Sequence, residues 1–115
     1  MTQEILFSIP EKISTNKIYS GVHWRTRNKH KDLFRNVKFE GQEVTEFPVH
    51  ITYDFTTIGR QMDSTNLSYM AKLVEDALVK KNILPDDSPK YVRYTTMGSE
   101  KGEDNICKIT IKPIE

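Results

Sequence analysis

Apolar positions along this chain fall into two rhythms. Ile5, Phe7 and Ile9 recur at every second position, which predicts a first strand because successive side chains of an extended backbone point to opposite faces. Val49, Ile51, Tyr53 and Phe55 repeat that period in P-V-H-I-T-Y-D-F and predict a second strand, ended by Gly59 and Arg60. Between them, Trp24, Leu33, Phe34 and Val37 recur more loosely and predict a basic helix from about residue 24 to residue 37. The segment S-T-N-K at 14–17 has turn chemistry, and Gly41 opens a polar loop.

The strongest helical rhythm follows. Leu67, Met70, Ala71, Val74, Ala77 and Leu78 form one apolar stripe, with Ser64 or Thr65 placed to cap its start and Asn82 and Pro85 to end it. Lys72 and Asp76 fall nearly opposite that stripe. After the turn D-D-S-P, the runs Y-V-R-Y-T-T-M and I-C-K-I-T-I-K predict two further strands, joined across 98–105 as a long, mobile hairpin loop. The order strand, helix, strand, helix, strand, strand predicts a single domain over 1–115. Its expected fold is an α/β sandwich, a small mixed sheet of about four strands against two helices.

Composition narrows the class. The 115 residues allow one modest core, and no run approaches the ~20 apolar residues of a membrane span. The opening M-T-Q-E-I-L-F-S-I-P carries Glu4 and reads as a strand rather than a secretory leader, so cytoplasmic residence is expected. Cys107 has no second cysteine to pair with, which excludes an internal disulfide and a cysteine-based zinc site. A net charge of +1 hides an uneven distribution. Lys17, Arg25, Arg27, Lys29, Lys31, Arg35 and Lys38 crowd one segment, opposed between 17 and 38 by Asp32 alone. Such crowding fits an anionic partner, with a solvated helix face as the alternative.

Candidate chemistry centres on 63–87. A phosphodiester nuclease needs acidic oxygen ligands for Mg²⁺, a cation near the scissile phosphate and a basic surface for the nucleic-acid backbone. Asp63 and Asp87 are candidate ligands, Lys72 the cation and 17–38 the surface. A helix of ~17 residues spans ~25 Å, so Asp63 and Asp87 meet only if the chain doubles back or a second subunit supplies one end. The plainer alternatives are a helix cap at Asp63, a surface Lys72–Asp76 pair worth ~0.2–0.5 kcal/mol and turn composition at Asp86-Asp87. His23, His30 and His50 have no metal-ligand spacing, although His23 and His30 fall where they could touch phosphate. Trp24, between His23 and Arg25, suits a core position or a nucleic-acid contact. No phosphate-cradling G-x-x-x-x-G-K, G-x-S-x-G or dinucleotide fingerprint occurs.

Taken in order, S-T-N-K-I-Y-S-G-V-H-W-R-T-R at 14–27, D-S-T-N at 63–66, Lys72, E-D-A-L at 75–78 and L-P-D-D at 84–87 resemble the RusA-type Holliday junction resolvases of phages and prophages. The resemblance runs over most of the chain. It implies a homodimeric α/β fold and Mg²⁺-dependent (or Mn²⁺-dependent) symmetric nicking of four-way DNA junctions in recombination and repair. Asp63 and Asp87 match its metal-binding aspartates, Asp86 their acidic neighbour and Lys72 a catalytic lysine. Lys17, Trp24, Arg25, Arg27, Lys29 and Lys31 are the expected DNA contacts. The family's D-x-D-N has Thr65 at its second aspartate here, an oxygen ligand without charge. Either another carboxylate, Glu75 or Asp76, compensates, or the fold is kept as a catalytically silent junction-binding dimer. A small protein-interaction domain without a nucleic-acid partner is the third possibility.

Overall fold

The computed structural model describes residues 2–15 and 24–114, with Trp24 described by its backbone alone. Four strands, β1 (Gln3–Ser8), β2 (Val49–Thr57), β3 (Val92–Lys101) and β4 (Ile106–Pro113), form one mixed sheet in the order β1-β4-β2-β3. Among the described residues two helices, α1 (Trp24–Arg35) and α2 (Ser68–Lys80), pack on it, and a 3₁₀ turn over Ser64–Leu67 leads into α2. The expected four-stranded mixed sheet with two helices is therefore present. No helix among the described residues is long and apolar enough to cross a membrane.

The alternating apolar positions dictate the layering. Ile5 and Phe7 of β1, Val49, Ile51, Tyr53 and Phe55 of β2, and Cys107, Ile109 and Ile111 of β4 are all buried. Met70, Ala71, Leu73, Val74, Ala77 and Leu78 of α2 cover them, joined by Phe34 of α1. Removing a side chain of this size from water contributes ~1.5–3 kcal/mol, so this one interface dominates stability. Arg35 Nε donates to Asp76 Oδ2 at 2.7 Å and ties α1 to α2. The expected Lys72–Asp76 pair is replaced by this one, since Asp76 turns toward the neighbouring helix.

β3 and β4 are not a hairpin. β2 lies between them, parallel to β3 and antiparallel to β4, and β3 runs on to Lys101, through residues expected to form a loop. Gly98 sits opposite Asp54 of β2, and a Cβ there would come within 2.5 Å of the Asp54 carboxylate. Glycine thus leaves room for the Asp54 side chain here and makes no turn. Parallel pairing of β2 with β3 requires a crossover, which α2 supplies.

The ends of α2 show which local signals held. Asn82 adopts φ 61°, Ile83 N–H donates to Leu78 C=O at 3.0 Å and Asn82 N–H to Val79 C=O at 3.0 Å. This is a Schellman stop with asparagine in the left-handed position. The start differs from expectation. Asp63 precedes the 3₁₀ turn without a side-chain cap, and Leu67, at the cap position of α2, provides none. Thr15, distant in sequence and 7% exposed, accepts from Tyr69 N–H at 3.1 Å and lies 3.0 Å from Ser68 Oγ. A tertiary contact therefore caps the helix.

Replacing Thr15 by Val should lower stability by ~1–2 kcal/mol in urea denaturation, while Thr15→Ser retains most of it. Ser64→Ala and Thr65→Ala, both at exposed positions, should stay within ~0.5 kcal/mol.

Candidate functional site

Tyr53 points from the centre of β2 into the α2 interface and is fully buried. A buried hydroxyl must find a partner, and Tyr53 Oη donates to Glu75 Oε2 of α2 at 3.3 Å. Glu75 is half-buried because it stands four residues after buried Ala71 and three before buried Leu78, on the edge of the apolar stripe. Burial pushes its carboxyl pKa upward. The Tyr53 hydrogen bond pulls the other way, the Asp87 charge pushes it further up and Lys72 partly offsets that. Burial likewise raises the Tyr53 phenol well above its usual range, with Glu75 and Asp87 adding to the effect. Lys72, Glu75 and Asp87 thus share one electrostatic neighbourhood around a buried tyrosine.

The remaining candidates from the sequence are placed as follows. Lys72 is exposed on α2, one turn before Glu75. Asp87 is exposed in the connection from α2 to β3, and Asp86 Oδ1 accepts its backbone N–H at 2.8 Å. Thr65 is exposed in the 3₁₀ turn. Asp63 lines a shallow recess with Gln61, Met62, Ser64 and Ser99, where Gln61 Nε2 donates to Ser99 C=O at 2.9 Å. About 20 Å of axial rise separates Asp63 from Glu75. That is too far for one ion to bridge them within a protomer. Among the described residues, no three Asp, Glu, His or Cys side chains gather as a metal-binding group.

A pair of carboxylates still suits one kind of ion. Mg²⁺ prefers six oxygens at ~2.1 Å and keeps several waters, taking one or two carboxylates plus phosphate oxygens. Glu75 and Asp87, whose charges act on each other, are of the residue type that such a set requires.

The basic segment forms α1. At about 100° per residue, Arg25 and Lys29 flank one side of its buried face and Arg27 and Lys31 the other. All four are exposed. Arg25, Asn28 and Lys29 line a groove of about 620 Å³ with Pro10, Asp32 and Leu33. His30 departs from its expected place beside phosphate. It is 8% exposed, its Nε2 lies 3.0 Å from Glu11 and its Nδ1 3.0 Å from the Tyr69 hydroxyl. It therefore joins the N-terminal segment, α1 and α2. Lys17, His23 and the Trp24 side chain lie outside the described residues.

Tyr53 is the site residue that sequence reasoning passed over, and Glu75 entered only as a possible substitute ligand. The signal was present, because Glu75 interrupts the 71–78 stripe and Tyr53 brings a hydroxyl to the inner face of an apolar strand.

Because burial raises the Glu75 pKa, its ionisation opposes folding. The penalty is absent below the unfolded carboxylate range, grows as pH rises from there through the raised folded value, and is constant above it. Glu75→Gln keeps an acceptor for Tyr53, so its melting temperature relative to wild type in EDTA should increase between pH 4 and pH 7. A difference independent of pH would contradict the assignment. Compared with known proteins, the chain matches no family model and no curated protein.

Proposed function

We propose that this protein is a structure-selective endodeoxyribonuclease that nicks four-way or otherwise branched DNA, acting with Mg²⁺ or Mn²⁺ as a homodimer. The observation that supports this reading best is the Tyr53–Glu75 hydrogen bond, which holds a half-buried carboxylate one turn from Lys72 and under the electrostatic influence of Asp87, in the helical layer that also carries cationic α1. A bound divalent ion would supply charge neutralisation at the phosphate and a more acidic attacking water. Glu75, held by Tyr53, and Asp87 would bind it. Lys72 would face the negative charge that develops on the scissile phosphate. Arg25, Arg27, Lys29 and Lys31 would bind the DNA backbone without reading its sequence. A four-way junction has two equivalent strands to cut, which suits twofold protein symmetry.

A second reading, a junction-binding dimer without cleavage, is favoured by one observation. Asp63 stands apart from Glu75, and Thr65 adds no charge near it.

Purified protein with a labelled four-way junction and Mg²⁺ separates the two. Nicking that falls on the order of 100-fold or more in Lys72→Ala, Glu75→Gln and Asp87→Asn, with junction binding in EDTA within a few-fold of wild type, supports the enzyme. Tight binding without nicking supports the second reading. In that case each α1 charge reversal that frees one phosphate should reduce the salt slope by ~0.9. Absence of both nicking and junction binding overturns both.

A further inference from the structure

The sheet face turned away from the helices carries an aromatic and cationic corner that the Glu75 site does not use. Val49 pairs with Val92, but His50 pairs with Tyr94, so Arg93 is an extra residue in β3. Bulges of this kind re-aim side chains. Here Val92 stays buried while Tyr94 emerges 52% exposed on the open face. The Arg93 guanidinium lies 5.3 Å from the centre of the Tyr94 ring, and the His50 ring meets it edge-on at 5.9 Å. Thr96 Oγ1 holds His50 Nε2 at 2.7 Å, and Lys112 pairs with His50 from β4. His50, Tyr94, Lys112, Pro113 and Ile114 line a recess of about 530 Å³.

Charge on this face is segregated. Asp54 and Glu100 stand further along β2 and β3, two or more register rows from His50 and Tyr94. Glu4 is paired with Lys108 at 3.3 Å. Among the described residues, the Tyr94 corner is left with Arg93 and Lys112. An exposed ring beside two cations suits a flat aromatic group attached to an anion. Duplex bases are stacked on each other and cannot use it, but an unpaired base can.

We propose that the corner formed by Arg93, Tyr94, His50 and Lys112 binds single-stranded nucleic acid, one base stacking on Tyr94 and the flanking phosphates meeting Arg93 and Lys112. The site is independent of the junction-cleavage reading and stands if that reading fails.

Fluorescence anisotropy of a labelled oligothymidylate, titrated with the full chain in EDTA, tests it. Tyr94→Ala should weaken binding by about tenfold or more, and Tyr94→Phe should stay within about twofold because the ring is kept. Lys112→Glu should reduce the salt slope by ~0.7, the share of one single-strand phosphate. Circular dichroism of each variant confirms folding. Full affinity in folded Tyr94→Ala, or weakening confined to variants of Arg27 and Lys31, overturns the proposal and leaves the corner to a protein contact.

Discussion

A hydroxyl buried at the centre of an apolar interface has to be satisfied from within that interface, since leaving it unpaired costs ~1–3 kcal/mol. Tyr53 is in that position, on a strand that pairs on both sides and beneath the helix that covers the sheet. Glu75, half-buried at the edge of the α2 stripe, answers it; burial raises its carboxyl pKa and the Tyr53 hydrogen bond offsets part of that rise. Lys72 one turn earlier and Asp87 in the returning loop then act on a group whose charge is costly to keep. Packing and candidate chemistry are joined at this hydrogen bond. The crossover geometry makes it possible, because α2 must lie along β2 for β3 to pair in parallel.

Much of the fold is legible in the sequence because local pattern and tertiary demand agree. The alternation of Val49, Ile51, Tyr53 and Phe55 marks a strand that is buried on one face in the structure. The 67–78 stripe marks a helix whose Asn82 stop is the one observed. Failures occur where a distant residue decides. Thr15 caps α2 in place of the nearby Ser64 or Thr65, and Arg35 takes Asp76 away from Lys72. Gly98 is expected in a loop but lies within β3, opposite Asp54. The position of β3 beside β2, not β4, is likewise a fact of topology that no local signal carries.

The candidate site was legible in part. Lys72 and Asp87 stand out by residue type and order, and both charges act on Glu75. Asp63 was singled out by the same reasoning but lies at the far end of the helical segment, against Ser99. Spacing along a helix reports which side chains share a face, but not which loop returns beside it. Glu75 is where these two kinds of information meet. Its position interrupts an apolar stripe, and its partner comes from the strand beneath.

On the proposed reading, Glu75, fixed by Tyr53, and Asp87 respond as one pair to a divalent cation. The most direct measurement is carboxyl ¹³C NMR of the free protein during Mg²⁺ titration. The Glu75 and Asp87 carboxyl resonances should move together with one apparent dissociation constant, and Tyr53→Phe should weaken the response of both. Movement of the Asp63 resonance while Glu75 and Asp87 stay fixed would contradict the claim.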